Sequence, residues 1–440
     1  MFEFQELAAD ACIGTGSAFK HRLLCLGTGS ELEDDGFLLR NPDCGREAFL
    51  RSLYPRKEFE PDSSLPGIYR YSDWLPIAGT LKGSATPVTY RSARLGARLG
   101  LSRLYITFNG LWEKIGARTA TGTFKDCEAF SVLARFPAFS GKTLVVASAG
   151  NTARAFIQAA SDNDLPLVAV VPESCLEDLW VLGDKGRDVR LVAASGGADY
   201  FEAISLANLV CEIPGFQSEG GAKNVARRDG LGVSVLSAVE EAEEIPDYYF
   251  QAVGSGTGAI AAHEANIRLN ESGRFARKTM RLVISQNAPF TPILDAWGSG
   301  ERIAKARDER DDRAKIDAIE AKTLSNREPP WGIVGGLFDC LKASGGEVLA
   351  VSNAEVRAAQ VLFRDLEGCD ISPEAGVAAA SLLKKAMAGE IESDAIVMLN
   401  VTGGGYESLR SDPRATRLRP DLVLRKDEFE PNRFLDSIAR

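Results

Sequence analysis

The sequence lacks the features that would place it in a membrane, secretory or nucleic-acid-binding class. No run of about 18 apolar residues occurs, so no transmembrane helix is expected. The first 20 residues have no basic segment ahead of an apolar stretch, so we expect no secretory signal and a cytoplasmic location. The formal net charge is −10 at pH 7, which argues against a nucleic-acid partner. An anionic ligand would need a local basic cluster to attract it.

The sequence also lacks paired cysteines. Its eight cysteines are scattered and none forms a Cys-x-x-Cys motif, so we expect reduced thiols. Cys25, Cys44 and His21 could supply three zinc ligands, but a closed structural site needs four and a fourth is not evident. The sequence therefore predicts no metal site.

Short β-branched runs alternate with helical stretches through most of the chain. This alternation predicts an α/β fold with mainly parallel sheets covered by helices on both faces. Functional residues are then expected where strands end, at their carboxyl edge. The predicted strands cover residues 144–147, 167–171, 189–192, 248–253, 281–285, 347–351 and 395–400.

The pattern predicts three parts of the chain. Residues 1–65 are rich in turns and charge, and we interpret them as an N-terminal extension with little regular structure. Residues 66–139 and 241–425 are expected to form a larger domain. Residues 140–240 carry their own series of strands and helices, and are expected to form a smaller, mobile domain.

A glycine-rich turn follows the predicted strand 248–253. Glycines let the backbone approach an anion, and the amides of the following helix point towards it. The turn lacks the Gly-Lys-Ser/Thr ending of a P-loop and the spacing of a dinucleotide fingerprint. A phosphate cradle is one interpretation, and a tight turn without a ligand is the other. Its residues are Gly254, Ser255, Gly256, Thr257 and Gly258.

Lys125 stands at the start of a predicted helix that runs through residues 127–135. The positive end of a helix dipole disfavours an ammonium group, which lowers the pKa of the lysine and suits covalent chemistry with an aldehyde. Taken alone, the position would more often belong to a solvated surface lysine.

Two further turns follow predicted strands. Residues 148–154 place Asn151 on a glycine turn, and residues 401–405 place the Thr402 hydroxyl on another. A reactive lysine, an asparagine, a phosphate cradle and this hydroxyl are together the contacts that a pyridoxal phosphate ring needs. The sequence therefore predicts pyridoxal 5′-phosphate as the cofactor.

These stretches, together with residues 69–76 and 224–230, resemble the threonine synthase branch of the fold-type II pyridoxal-phosphate enzymes. The resemblance spans about 66–410 and implies a tryptophan synthase β-like fold with two mainly parallel, twisted sheets. Within the branch, residues 219–228, 250–258 and 366–371 are similar to cysteate synthases. Cys127 and Glu128 stand where threonine synthases commonly have an arginine and a glycine.

The resemblance implies an enzyme that joins O-phospho-L-serine and sulfite to form L-cysteate and phosphate. Lys125 would bond the cofactor and transfer the Cα proton, Asn151 would contact the ring hydroxyl oxygen, and Thr402 would meet the pyridine nitrogen. Residues 254–258 would hold the cofactor phosphate. The substrate carboxylate would bind at Ser148, Ala149, Gly150, Asn151 and Thr152.

Two anions, the substrate phosphate and sulfite, would need basic partners. The candidates are Arg154, Lys223, Arg227 and Arg228, since guanidinium groups match phosphate and sulfonate oxygens. Three alternatives stay open: threonine synthesis from O-phospho-L-homoserine and water, cysteine synthesis with sulfide, and a catalytically inactive regulatory protein that binds the cofactor. We expect a homo-oligomer, with a dimer as the first assumption.

Overall fold

The computed structural model describes residues 19–136, 141–148, 150–304 and 306–438. The strands, in chain order, are β1 (Arg22–Cys25), β2 (Glu31–Glu33), β3 (Leu50–Leu53), β4 (Val88–Arg91), β5 (Arg103–Phe108), β6 (Leu111–Trp112), β7 (Ala117–Arg118), β8 (Thr143–Ala147), β9 (Leu167–Pro172), β10 (Trp180–Leu182), β11 (Val189–Ala194), β12 (Phe216–Ser218), β13 (Tyr248–Ala252), β14 (Arg281–Asn287), β15 (Glu347–Val351), β16 (Ile396–Val401), β17 (Ala415–Arg417) and β18 (Leu422–Leu424).

The α-helices follow the strands as the alternation predicts. They are α1 (Arg94–Leu99), α2 (Lys125–Arg135), α3 (Asn151–Asp162), α4 (Tyr200–Cys211), α5 (Val225–Ala242), α6 (Thr257–Glu271), α7 (Pro292–Ser299), α8 (Glu309–Ala318), α9 (Leu337–Ser344), α10 (Asn353–Glu367), α11 (Pro373–Met387), α12 (Tyr406–Arg410) and α13 (Pro431–Ile438).

Two sheets form the centre of the molecule. The larger has six strands in the order β15-β14-β13-β16-β5-β4, and all its pairings are parallel except that of β4 with β5. The smaller has five parallel strands in the order β12-β8-β9-β11-β18. Every residue of β13 and β16 is buried, which is typical of parallel strands covered on both faces. The predicted α/β fold is confirmed.

The N-terminal region is more regular than the sequence predicts. Strands β1, β2 and β3 form an antiparallel sheet with β1 in the centre. Leu23 and Cys25 alternate inward along β1 and join a small apolar cluster that includes Val225 of α5. The expectation of little regular structure rested on the turns and charges of this region, and the strands escape it because each has only three or four residues. The sheet fastens this region to α5.

The C-terminal region returns to the smaller sheet. Strand β18 pairs in parallel with β11, and Phe434 of α13 packs in the same apolar cluster as Val145 and Val192. The sequence assigns residues up to 425 to the larger domain, whereas the structure places β18 in the five-stranded sheet. A parallel pairing between segments so distant in sequence leaves no local signal. The domain limits themselves stay a prediction.

Helix α2 is held at its C-terminal end by contacts that its sequence alone does not reveal. At its C-terminal end, the buried Arg135 guanidinium donates to Asp34 Oδ2 over 2.9 Å and to Asn224 Oδ1 over 3.0 Å. Asn224 also caps α5, because its side-chain oxygen accepts from the Ala226 amide over 3.0 Å. One guanidinium therefore joins the N-terminal region, α2 and the start of α5.

Gly230 sets the distance between α2 and α5. A Cβ atom at this position would collide with the backbone oxygen of Cys127, so only glycine permits the observed approach. The close approach brings the first turn of α5, with Arg227, next to the first turn of α2, with Lys125 and Glu128.

Candidate active site

Lys125 is the first residue of α2, and its side chain is 20% exposed. Its Nζ lies 3.0 Å from Glu128 Oε2, because residues three apart share one face of a helix. Burial lowers the pKa of Lys125, Glu128 acts in the opposite direction, and the nearby Arg227 adds to the lowering. The amine is therefore placed in a setting that can hold or release a proton.

Glu128 is completely buried. Its Oε1 accepts a hydrogen bond from Thr152 Oγ1 over 2.8 Å and lies 3.2 Å from Arg227 Nη1. Burial alone would raise the pKa of this carboxyl, but Arg227 and Lys125 hold it below its ordinary value. These contacts favour the ionised form of the Glu128 carboxyl inside the protein.

Arg227 is shared between two carboxylates. Its Nε donates to Glu219 Oε1 over 2.7 Å, its Nη2 also binds Glu219, and its Nη1 faces Glu128. The formal charges of Lys125, Glu128, Arg227 and Glu219 cancel when the lysine is protonated. The positive charge of Arg227 is thus already offset.

The glycine-rich turn lies between β13 and the N-terminus of α6. Gly256 has a φ of +79°, a left-handed conformation that favours glycine, and it stands directly before the first residue of the helix. The hydroxyls of Ser255 and Thr257 lie 2.8 Å apart across the turn. The helix N-terminus and the compact turn suit a bound phosphate.

A cavity of about 120 Å³ lies beside this turn. It brings together most of the predicted site residues: Lys125, Ser148, Gly150, Asn151, Thr152, Arg227, Gly254, Ser255, Gly256, Thr257, Gly258 and Thr402. Ala149, which the sequence also predicts, lies outside the described residues. Segments distant in sequence therefore meet at one cavity, at the carboxyl ends of β8, β13 and β16.

Arg154 lies next to this cavity, in a neighbouring one of about 970 Å³ that shares Gly150 and Asn151 with it. Its Nη2 donates to Thr121 O over 2.9 Å, to Asn151 Oδ1 over 3.1 Å and to Tyr406 Oη over 3.2 Å. Its guanidinium carbon lies 4.7 Å from the centre of the Trp180 ring. These partners are neutral, so within the described part of the chain no direct ion pair offsets the positive charge of Arg154.

Arg228 does not line the cavity beside the glycine turn, and its predicted role in substrate binding finds no support in the contacts of its side chain. Its side chain is completely buried, its Nε donates to Glu264 Oε2 over 2.9 Å, and it also binds the backbone oxygens of Ala222 and Leu50. Neighbouring residues of a helix point about 100° apart, and on α5 Arg227 lines the cavity whereas Arg228 binds Glu264.

Lys223 does not line the cavity that holds Lys125. Its Nζ lies 2.7 Å from Glu47 Oε2, and it lines a different cavity of about 980 Å³. Its predicted contact with a substrate anion therefore finds no support in the contacts of this side chain.

Three residues near the lysine were not predicted as part of the site. Glu128 and Glu219 hold Arg227, and Tyr200 lines the cavity beside the glycine turn as well as the neighbouring cavity next to Arg154. The spacing of three between Lys125 and Glu128 was a signal for one of these residues. Tyr200 is the first residue of α4, and nothing in its neighbouring sequence indicates the site.

Two properties concern the described residues as a whole. None of the helices among them has the length and apolar character needed to span a bilayer. The same part of the chain contains no group of three or more His, Cys, Asp or Glu side chains placed to hold a metal ion. The His21 ring, a candidate zinc ligand by sequence, lies 2.8 Å from Asp34 Oδ2 instead.

Several known proteins share this fold. Residues 83–403 match the family described as pyridoxal-phosphate dependent enzyme. The structure of maize serine racemase aligns with a TM-score of 0.55 and 16% identity, covering 74% of this chain and 92% of that chain. Threonine deaminase isoform 2 from Solanum lycopersicum aligns with a TM-score of 0.54 and 15% identity, covering 74% of this chain and 81% of that chain. These likenesses show a fold-type II pyridoxal-phosphate enzyme.

Closer relatives define the family within this class. A cysteate synthase of Methanocorpusculum labreanum is 44% identical over 398 residues, which cover 90% of this chain and 95% of the relative. A cysteate synthase of Methanocella arvoryzae is 42% identical over 422 residues, which cover 96% of this chain and 100% of that relative. The chain belongs to the cysteate synthase family, and the resemblance drawn from its sequence is confirmed.

The residues present fit pyridoxal phosphate. A Cβ at Gly256 would lie 2.5 Å from Leu337 Cδ2, and one at Gly258 would collide with the Gln251 side chain, so the turn depends on glycine for its shape. The turn leads into a helix N-terminus that can receive a phosphate, while Lys125 lines the same cavity with a partly exposed amine. The cofactor prediction is confirmed by the family, and the individual contacts stay a prediction.

Proposed function

We propose that this enzyme joins O-phospho-L-serine and sulfite to form L-cysteate and phosphate. The observation that carries the proposal is its similarity to proteins named cysteate synthase over nine tenths of the chain. In this replacement the Cβ–O bond breaks, and its electron pair leaves with phosphate. A Cβ–S bond forms from the sulfite lone pair, so no oxidant or reductant is required.

The site residues take the following roles in the proposal. Pyridoxal phosphate, when bound, supplies an electron sink that stabilises the negative charge at Cα. The Nζ atom of Lys125 removes the Cα proton and returns it later in the cycle. The amides of residues 254–258 hold the cofactor phosphate. The Thr402 hydroxyl meets the pyridine nitrogen.

The turn at the start of α3 binds the substrate carboxylate in this proposal. Ser148 supplies a hydroxyl, and the turn, including Thr152, supplies amides at a helix N-terminus. The Thr152 hydroxyl proton is already donated to Glu128. The Asn151 amide oxygen accepts from Arg154, which leaves its NH₂ group to donate to the ring hydroxyl oxygen of the cofactor.

Arg154 is the proposed partner of the substrate phosphate. Its guanidinium contacts neutral groups, whereas Arg227 is bound by two carboxylates. A dianion gains more from a cation whose charge is not already offset. We therefore assign Arg227 to organising the site and Arg154 to substrate recognition. Of the four basic residues predicted to bind an anion, Arg154 is the one we retain for the substrate phosphate.

The test is product identity. Cofactor-loaded enzyme would be incubated with phosphoserine or phosphohomoserine, each with and without sulfite, and products would be identified by mass. Cysteate and phosphate should form only from phosphoserine plus sulfite. Threonine from phosphohomoserine as the dominant product would overturn the substrate assignment and favour the threonine synthase alternative. Cysteine formed faster with sulfide than cysteate with sulfite would overturn the assignment of the nucleophile.

The expected homodimer also stays a prediction. Sedimentation velocity at several protein concentrations would measure the oligomeric state directly, and a monomer at all concentrations would contradict it.

A further inference from the structure

Glu128 occupies an unusual place relative to the site. It is a completely buried carboxylate, and its three polar partners, Lys125, Thr152 and Arg227, all line the cavity beside the glycine turn. A buried charge is normally retained only when it is paired and hydrogen-bonded. The partners of Glu128 meet that condition, and they come from three different helices.

The two oxygens of Glu128 have separate partners. Oε1 is held by the Thr152 hydroxyl at 2.8 Å and by Arg227 Nη1 at 3.2 Å, while Oε2 faces Lys125 Nζ at 3.0 Å. Two contacts on Oε1 fix the rotation of the carboxylate and direct the other oxygen at the lysine. Thr152 of α3 and Arg227 of α5 therefore orient the carboxylate so that its second oxygen faces Lys125 of α2.

This arrangement affects the lysine amine. Burial and the charge of Arg227 both favour a neutral Lys125, and Glu128 opposes them. When Nζ has taken a proton from a substrate, the resulting ammonium group has a fixed carboxylate within hydrogen-bond distance. Without that carboxylate, the ammonium would be buried next to a guanidinium.

We propose that Glu128 is a positioning residue that stabilises the protonated form of Lys125 and thereby sets its capacity to take and return the substrate proton. The inference rests on the proposed role of Lys125 as the lysine that bonds the cofactor. It adds a member to the site that acts through Lys125, since Glu128 itself does not line the cavity.

Other charged or titratable groups face this pair and must be considered with it. Arg227 binds Glu128 and Glu219. Burial raises the pKa of Tyr200, and the charges of all three residues also affect it. Asp126 and Cys127 are neighbours on α2, and burial raises the pKa of Asp126 to about 6. Within the described structure none of these groups contacts Lys125 Nζ directly. Removing Glu128 should therefore change the pKa of Lys125 more than removing any of them.

The test measures the pKa of Lys125 in cofactor-free protein. Trace labelling with an amine-specific acylating reagent at a series of pH values, followed by peptide mass spectrometry, gives the pH midpoint at which this amine becomes reactive. Glu128→Gln keeps the shape and removes the charge. Its midpoint should fall by about 1–3 pH units relative to the wild type, the usual effect of an adjacent opposite charge. An unchanged midpoint would overturn the proposal.

Glu264→Gln is the matched control. Glu264 is also buried and bonded to an arginine of α5, Arg228, but it does not contact Lys125. This variant should lower thermal stability and leave the Lys125 midpoint where it is. If the role of Glu128 were purely structural, Glu128→Gln would also lower thermal stability and leave the Lys125 midpoint unchanged. A shifted midpoint in Glu128→Gln alone therefore distinguishes the proposed positioning role from a structural one.

A second variant covers the case in which Glu128→Gln does not fold. Glu128→Asp keeps the charge but withdraws it from Nζ by one methylene, so the midpoint should fall by at least about half a pH unit. An unchanged midpoint in this folded variant would also overturn the proposal. The labelling uses neither substrate nor cofactor. A wrong assignment of phosphoserine or sulfite would therefore appear in the product assay and leave this result intact.

Discussion

Replacing Gly256 by alanine tests the phosphate turn, because a close control exists elsewhere in the chain. Gly256 precedes α6 with a φ of +79° and a ψ of 0°, and Gly300 follows α7 with a φ of +70° and a ψ of 3°. A non-glycine residue in this conformation costs about 1–2 kcal/mol. That cost is common to both substitutions.

The surroundings of the two glycines differ. At Gly256 the new Cβ would lie 2.5 Å from Leu337 Cδ2, whereas at Gly300 nothing lies within 4 Å. Relieving the overlap at Gly256 costs about 1–3 kcal/mol more and shifts the turn. If the shift removes one charge-assisted contact to the cofactor phosphate, worth about 1.5–3 kcal/mol, the Kd for pyridoxal phosphate should rise roughly 10- to 150-fold.

Titration of the cofactor-free variants with pyridoxal phosphate, read by visible absorbance, measures this effect, and thermal unfolding measures the stability cost. Gly300→Ala should bind the cofactor like the wild type and lose only stability. Equal cofactor affinity in Gly256→Ala and Gly300→Ala would refute the assignment of residues 254–258 as the phosphate cradle.

The remaining predictions concern the lysine, the anion partner and the smaller domain. Borohydride treatment of the cofactor-loaded enzyme should leave a stable adduct on Lys125 by peptide mapping, and Lys125→Ala should fold but not turn over; an adduct on another lysine would contradict the assignment. Arg154→Met should lower kcat/KM for phosphoserine by roughly 10- to 150-fold, since one charge-assisted contact is worth about 1.5–3 kcal/mol, whereas an unchanged value would remove Arg154 from substrate recognition. Thr402→Ala should weaken cofactor binding by only about 1 kcal/mol in the same titration, as expected for a neutral hydrogen bond, and a loss as large as that of Gly256→Ala would contradict this. Phosphoserine should slow hydrogen exchange across residues 140–240 if this part closes over the substrate, and unchanged exchange at saturation would count against closure.

Local sequence signals predicted the parts of the site that depend on backbone shape. The turn 254–258 and the helix that begins at Lys125 are encoded by neighbouring residues, and the structure shows both where the pattern places them. Their meeting in one cavity follows from parallel strands whose carboxyl ends share an edge. The α/β class with mainly parallel sheets could therefore be derived from the pattern of strands and helices, whereas the tryptophan synthase β-like fold was implied by the family resemblance.

Side chains whose surroundings come from distant segments could not be predicted in the same way. Arg227 and Arg228 are adjacent in sequence, yet one lines the cavity and the other binds Glu264 inside the helical layer. The choice depends on how α5 is rotated against α2 and α6, which is set by the close approach at Gly230. The pairing of β18 with β11 is likewise a tertiary contact that leaves no signal in either strand.

The Arg135 contact at the far end of α2 has a consequence for how much of the chain the enzyme requires. Asp34 lies in the N-terminal region, and its pKa is held well below the ordinary range against the opposing effect of burial by His21 and Arg135. If the chain were shortened to begin at residue 66, the Arg135 guanidinium would lose both the Asp34 carboxylate and the Leu38 carbonyl oxygen, and this end of α2 would be opened to water. The region ahead of residue 66 therefore supports the helix that carries the reactive lysine. A truncated protein should be less stable even though every predicted substrate-binding residue is still present.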